Sequence, residues 1–234
     1  MNLEEIFTQQ GGTFCIPITE LKKKLSHVRA FIFDWDGVFN NGTKNEHGSS
    51  SFSEVDSMGT NLLRFSNYIA KKKMPIVSVM SGEKNVLSFQ YGKSEHVHSV
   101  YFRVKNKRQA FDHFIEAYSL KPNEVAFFFD DVLDLSLAEV CGVRIMVNQQ
   151  ANPLFKNYVI KNTLVDYATA NPGGNFAVRE GCELIMGLQD NFDTTLQHRL
   201  RYSSDYESYY NERQQIPTSF YTWQDNIIEQ VKVD

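Results

Sequence analysis

The sequence predicts an α/β protein built on a three-layer, Rossmann-like parallel sheet. Short apolar segments rich in β-forming residues alternate along the chain with segments whose apolar residues recur at helical spacing. Strands that read as continuous apolar runs are typical of parallel sheets, because helices cover both faces. Strands are predicted at 30–33, 76–80, 125–129 and 143–147, with a fifth at 158–160 and a short one at 96–98.

Helical spacing and turn residues complete the prediction. Helices are predicted at 18–28, 56–73, 107–118, 133–140 and 177–188. The polar segment 40–53 has turn signals at Asn41-Gly42 and His47-Gly48, which predict a protruding β-hairpin. We expect an N-terminal extension at 1–28, a main domain at 29–189 and an aromatic-rich C-terminal extension at 190–234 without clear period.

The composition is that of an ordinary soluble globular protein. The 234 residues are 42% hydrophobic and 22% charged, which is enough to bury a full core. A net charge of −4 gives no reason to expect nucleic acid or an anionic membrane as partner. The three cysteines lie far apart without metal-ligand spacing, as in a reducing compartment. With no signal-peptide start and no bilayer-spanning apolar run, we expect a cytoplasmic protein.

Reactive side chains follow three of the predicted strands. In chain order these groups are Asp34 and Asp36, then Ser81, and finally Asp130 and Asp131, with Lys107 at the start of the helix before the third strand. Because the carboxyl ends of parallel strands meet at one edge of the sheet, we expect these groups to converge. Aspartate and glycine are also ordinary turn residues, so a capped turn is the alternative interpretation of Asp34 to Gly37.

The expected cluster of carboxylates predicts a magnesium site. Four carboxylates close together cannot all stay ionised without a cation, because like charges raise each other's pKa. Oxygen ligands without histidine or cysteine favour Mg²⁺, which also binds phosphate oxygens. Lys107 and Ser81 could then hold the remaining oxygens of a phosphoryl group.

The chain resembles the haloacid dehalogenase-like (HAD) phosphatases from about Val28 to Leu188. The similarity is strongest to the subgroup without a cap domain, typified by the 3-deoxy-D-manno-octulosonate 8-phosphate phosphatases and their sialic-acid-pathway relatives. The motifs that carry it are Asp34-Trp35-Asp36-Gly37-Val38, Asp56-Ser57-Met58-Gly59, Ser81-Gly82, Asn106-Lys107, Asp130-Asp131-Val132-Leu133-Asp134, and Gly173-Gly174 followed by Ala177-Val178-Arg179-Glu180.

The resemblance implies a two-step phosphoryl transfer on a small phosphorylated metabolite, such as a sugar or sugar-acid phosphate. Asp34 would be the nucleophile that forms an aspartyl-phosphate, and Asp36 the general acid and base. Mg²⁺ would be held by Asp34, the backbone carbonyl of Asp36 and Asp130, with Asp131 acting through water. Ser81, Gly82 and Lys107 would bind the phosphoryl group. In this subgroup the hairpin builds a homo-tetramer, in which a neighbouring subunit helps to close the site.

Several residues depart from the family pattern. Glu83 stands where the family usually has arginine, which puts a negative charge beside the expected anionic substrate. Phe129 replaces a glycine before the paired aspartates, and Asn175 replaces a basic residue after the paired glycines. These changes keep open a second interpretation, in which the chain is a catalytically degenerate HAD-fold module that binds a partner. The retained Asp34, Asp36, Lys107 and Asp130 favour the Mg²⁺-dependent phosphatase.

Overall fold

A computed structural model of the chain describes residues 2–46, 48 and 50–233, and within them the sheet has nine strands. Their order across the sheet is β1-β7-β6-β5-β2-β3-β4-β8-β9. The strands are β1 (Thr13–Phe14), β2 (Ala30–Phe33), β3 (Ile76–Met80), β4 (Ser99–Phe102), β5 (Val125–Phe129), β6 (Val143–Met146), β7 (Tyr167–Ala168), β8 (Ser219–Gln224) and β9 (Ile227–Val231).

Helices cover both faces of this sheet. They are α1 (Leu3–Gln9), α2 (Ile18–His27), α3 (Glu54–Lys71), α4 (Val86–Ser94), α5 (Lys107–Ala117), α6 (Leu135–Ala138), α7 (Pro153–Lys161), α8 (Ala177–Leu188), α9 (Phe192–Leu200) and α10 (Ser204–Gln214), with 3₁₀ turns at Pro122–Glu124 and Val132–Asp134. No helix in the described part of the chain is both long and apolar enough to cross a membrane.

The central strands are parallel, as predicted. β2 lies between β3 and β5, with Ala30 opposite Ile76 on one side and Val125 on the other. Successive side chains of β2 enter opposite cores: Phe31 belongs to the larger apolar cluster and Ile32 to the second. The α/β fold class predicted from the sequence is therefore confirmed.

Two predicted strands are wrong. Residues 158–160 belong to α7, because Pro153 at the first helical position is pre-organised for a helix and only Val159 of the three residues is buried. The strand expected at 96–98 begins instead at Ser99, since His96 adopts a left-handed conformation (φ 51°) after α4. Helix α4 was itself not predicted.

The predicted hairpin at 40–53 shows no strand in residues 41–46, 48 and 50–53. His47 and Ser49, near its expected tip, lie outside the described residues. Side chains accept hydrogen bonds from the backbone amides there. The Gly42 amide donates to Oδ1 of Asn40 (2.8 Å), and the Thr43 amide donates to Oδ1 of Asn41 (3.0 Å). Such local hydrogen bonds compete with strand pairing, so a turn forms instead.

The two terminal segments complete the sheet. β1 pairs antiparallel with β7, and β8 runs parallel to β4 with Ser99 opposite Ser219. β9 then returns antiparallel along β8. Phe220 of β8 is 6% exposed and packs edge-on against Phe89. The boundaries at 28/29 and 189/190 stay a prediction, but both extensions pack on the central fold.

Candidate active site

A cleft of about 440 Å³ opens at the carboxyl ends of the central strands. Its lining includes the predicted residues Asp34, Asp36, Ser81, Gly82, Glu83, Lys107, Asp130 and Asp131. Asp34 follows β2, Ser81 follows β3 and Asp130 follows β5. Parallel pairing of these three strands is what brings residues so far apart in sequence to one rim.

Lys107 links two buried carboxylates at the floor of the cleft. Its ammonium donates to Oδ1 of Asp34 (2.7 Å) and to Oδ1 of Asp134. The side chains of all three residues are less than 10% exposed. Lys107 sits at the start of α5, where the Asn106 side chain accepts a hydrogen bond from the Gln109 amide as the N-cap. The cap therefore sets the position from which Lys107 reaches both carboxylates.

Asp134 was not predicted as a site residue, although its position in a quoted motif was a signal. Its second oxygen, Oδ2, accepts from the backbone amides of Asp130 (3.4 Å) and Asp131 (3.3 Å). With Oδ1 bound to Lys107, both oxygens of this carboxylate have protein partners. Asp134 thus orients the ammonium and the loop that carries Asp130.

The carboxylates of Asp34, Asp130 and Asp134 lie together, with one oxygen of each within 4.8 Å of the others. An oxygen-only set fits Mg²⁺, the predicted cofactor. Because both oxygens of Asp134 already accept from protein donors, Asp34 and Asp130 are the groups better able to ligate directly. Asp131 is exposed and accepts from the Val132 amide (2.7 Å), outside this group of three, so its role through water stays a prediction.

Gly37 and Gln149 position Asp130 against the loop that follows β2. A Cβ on Gly37, whose φ is +85°, would lie 1.9 Å from Oδ2 of Asp130, so no side chain fits there. The Gln149 amide donates to the Gly37 carbonyl (2.7 Å) and to Oδ2 of Asp130 (3.2 Å). Gln149, which the sequence analysis missed, therefore joins the loops after β2 and β5.

The charges at the floor perturb one another's pKa. Burial, reinforced by the Asp134 carboxylate, raises the pKa of Asp34 to about 7, although Lys107 acts in the opposite direction. Burial and the Asp34 and Asp134 carboxylates also raise the pKa of Asp130. Burial alone would lower the pKa of Lys107, but Asp134 and Asp34 outweigh it and raise that pKa. Because their pKa values are raised, Asp34 and Asp130 hold protons more tightly than ordinary carboxyl groups. A divalent cation would replace these protons.

Asp36 has one carboxylate oxygen without a protein partner. Oδ1 accepts from the Ser50 hydroxyl (3.0 Å) and the Asn85 amide (3.4 Å). Oδ2 is buried and, among the described residues, has no hydrogen-bond partner. An oxygen in this state can accept or deliver a proton, which suits the predicted general acid and base.

The loop after β3 supplies the predicted phosphate-binding residues. Ser81 is buried, and its hydroxyl accepts from the Glu83 amide (3.1 Å). Gly82 lies between them on the cleft wall. The Glu83 side chain is 69% exposed at the mouth and has Lys44 at 3.9 Å. Glu83 therefore lies where its negative charge acts on a molecule that enters the cleft.

Sequence comparison finds phosphatases as relatives. The chain is 28% identical over 179 residues to the 3-deoxy-D-manno-octulosonate 8-phosphate phosphatase KdsC of Salmonella typhi, covering 75% of this chain and 88% of the relative. A second relative of the same name, from Yersinia pestis, is 25% identical over 175 residues. No family model matches the chain.

Solved structures share the fold. A HAD superfamily (subfamily III A) hydrolase from Legionella pneumophila superposes with a TM-score of 0.66 at 26% identity, covering 79% of this chain and 96% of that chain. The chain has the fold and motifs of a HAD-type phosphatase. A 3-deoxy-D-manno-octulosonate 8-phosphate phosphatase from Moraxella catarrhalis, in complex with magnesium ion, phosphate ion and KDO, has a TM-score of 0.63 at 24% identity, covering 78% and 99%. The prediction of a HAD-type phosphatase is confirmed.

Proposed function

We propose that the protein is a Mg²⁺-dependent phosphomonoesterase that acts on a small phosphorylated metabolite of the sugar-phosphate type. The observation that carries this proposal is the floor of the cleft, where Lys107 holds Asp34 beside Asp130 while Asp36 keeps an oxygen free. A nucleophile, a cation site and a proton carrier are the parts that a phosphoryl transfer through an enzyme carboxylate requires.

Asp34 attacks phosphorus in this proposal and forms an aspartyl-phosphate. Lys107 donates to Oδ1 of Asp34, which fixes the carboxylate and leaves Oδ2 for attack. The ammonium also lies where negative charge accumulates on the transferring phosphoryl group, and a fixed cation there stabilises the transition state. Ser81 and Gly82 also line the cleft and would bind the phosphoryl oxygens.

Asp36 moves the protons. Oδ2 of Asp36 protonates the leaving alcohol in the first step and takes a proton from the attacking water in the second. Ser50 and Asn85 hold Oδ1, so the carboxyl group keeps one orientation through both steps. Mg²⁺, when bound by Asp34, Asp130 and the Asp36 carbonyl, offsets the charge of the phosphate oxygens.

We also infer a cytoplasmic homo-oligomer, with a tetramer as the expected state. Support comes from the family resemblance; an interface at residues 40–53 would use a turn rather than the predicted hairpin. Sedimentation equilibrium at micromolar concentration tests this assembly, and a monomer there would contradict it.

Phosphate release tests the proposed activity. Wild-type protein should hydrolyse p-nitrophenyl phosphate and some metabolite phosphates with Mg²⁺ and lose activity in EDTA. Asp34→Asn should abolish turnover, because a carboxamide cannot form the acyl phosphate. Asp112→Asn removes an exposed carboxylate on α5 and serves as the matched control. No phosphate release under any condition would favour the binding-module interpretation.

A further inference from the structure

The cleft carries a large excess of negative charge. Among the described residues that line it, the only basic side chain is Lys107. The carboxylates that line it are Asp34, Asp36, Glu83, Asp130, Asp131 and Asp134. A divalent cation and Lys107 together supply three positive charges, fewer than the six negative charges that these side chains carry when ionised. Once a doubly charged phosphate is bound, the described lining therefore has no positive charge left for a second anionic group.

Resting on the proposed function, we propose that the substrate has no anionic group besides its phosphate and is the monophosphate of a neutral polyhydroxy compound. Lys107 cannot serve a second anion, because Asp34 and Asp134 already bind its ammonium at the buried floor. A carboxylate elsewhere on the substrate would enter an acidic cleft without a cationic partner from the described lining, and uncompensated like charge disfavours binding.

The mouth of the cleft adds to this selection. Glu83 places a carboxylate there, and Lys44 at 3.9 Å only partly offsets it. The substrate that gives the relatives their name, 3-deoxy-D-manno-octulosonate 8-phosphate, is by contrast a sugar acid. We infer that this chain acts on a substrate of lower charge than that sugar acid.

Neutral side chains on the cleft wall suit hydroxyl groups. Oδ1 of Asn41 accepts from the Thr43 amide, so its NH₂ group is left out of that bond. The Asn152 amide group donates to the Asp130 carbonyl (3.5 Å), so its oxygen remains an acceptor. Leu133, 67% exposed, adds an apolar surface for the C–H face of a sugar. Neutral donors, acceptors and apolar surface together recognise polyols better than carboxylates.

Two six-carbon substrates isolate the effect of the second charge. Sorbitol 6-phosphate and 6-phosphogluconate have the same linear chain, and they differ in a hydroxymethyl group against a carboxylate at C1. We expect kcat/KM to be roughly tenfold or more higher for sorbitol 6-phosphate. Raising the salt concentration to about 0.5 M should narrow this ratio, because salt screens the repulsion at the exposed mouth.

Glu83→Gln should reduce the ratio of kcat/KM for sorbitol 6-phosphate to that for 6-phosphogluconate roughly threefold, mainly by lowering KM for 6-phosphogluconate. The effect is modest because solvent and salt screen an exposed charge. Glu20→Gln makes the same charge change on exposed α2 and should leave the ratio as it is. An equal or higher kcat/KM for 6-phosphogluconate would overturn the inference and leave the phosphatase proposal intact. Absence of hydrolysis even with p-nitrophenyl phosphate would instead refute the proposed function itself.

Discussion

Asp134 shows how a residue that need not touch substrate can organise a site. One of its oxygens binds Lys107 and the other accepts from the backbone amides of Asp130 and Asp131. Removing such a carboxylate would leave a buried ammonium with one partner and two amides without an acceptor, which is costly in a low-dielectric interior. The position of Lys107 and that of the loop carrying Asp130 thus depend on the same side chain.

The residues of the site could be predicted where strand ends reveal them. Asp34, Ser81 and Asp130 each follow an apolar strand directly, so parallel pairing alone implies that they converge. Gln149 follows β6 by three residues in a polar segment, and its contact with Asp130 depends on how the loop bends. Sequence spacing does not encode that bend.

Asp36→Asn should separate the two chemical steps. Protonation by Asp36 matters greatly for an alkoxide-like leaving group and little for nitrophenolate, so a sugar phosphate should lose about a hundred- to ten-thousand-fold in rate. With p-nitrophenyl phosphate we expect a burst of nitrophenol, slow turnover and accumulated aspartyl-phosphate, measured by rapid quench. Equal, burst-free losses for both substrates, with Mg²⁺ still bound, would make Asp36 a structural turn residue.

Gln149→Met should weaken Mg²⁺ binding about ten- to a hundredfold, as expected when a group that orients a ligating carboxylate is removed. Methionine keeps the length of the side chain but cannot donate to Asp130 or to the Gly37 carbonyl. Isothermal titration with Mg²⁺ measures the change. Gln150→Met, at the exposed neighbouring position, is the matched control. Unchanged affinity in Gln149→Met would show that this contact does not position the ligand.

At the scale of elements, prediction succeeded where the local pattern and the tertiary environment agree. Helix α8 was predicted with its observed bounds, Ala177–Leu188, because its apolar stripe packs inward along its whole length. The strand predicted at 158–160 was wrong because a run of three apolar residues suits a strand as well as a helix. The C-terminal strands were missed because the burial of β8 alternates but its residue types do not: Thr222 is buried, whereas the aromatic Tyr221 and Trp223 are only half-buried.

Strand β8 should be part of the cooperative core. Phe220→Ala removes a ring that is 6% exposed and packs on Phe89, so we expect a loss of about 3–5 kcal/mol in the free energy of unfolding. Urea denaturation measures it. Ile227→Ala, at a 55% exposed position of β9, should cost less than about 0.5 kcal/mol. Similar small losses for both variants would mean that the C-terminal strands add little to stability.

At the scale of the whole molecule, the buried carboxylates link stability to pH and metal. A carboxyl group whose pKa is raised by folding holds its proton more tightly in the folded state. The metal-free fold is therefore favoured as pH falls from about 7 toward about 4, the ordinary carboxyl range, and it loses this stability as pH rises through about 7. Mg²⁺ binds the ionised form and removes the repulsion.

The gain in Tm from Mg²⁺ over EDTA should consequently increase between about pH 6 and pH 8, because protons compete with the cation at the lower pH. Thermal unfolding at three pH values, with each additive, measures this gain. Asp34→Asn should reduce the gain at every pH, whereas Asp112→Asn should preserve it. A gain that is constant with pH would contradict the link to the raised pKa of Asp34.

The late position of β8 in the chain has a consequence for synthesis. A ribosome delivers β4 (Ser99–Phe102) well before its outer neighbour, β8 (Ser219–Gln224). Until β8 emerges, the outer side of β4 has unpaired backbone groups, and such an edge can pair with another nascent chain. Chaperones that shield β4 during this interval should improve the yield of expression, and refolding of the finished chain avoids the interval altogether.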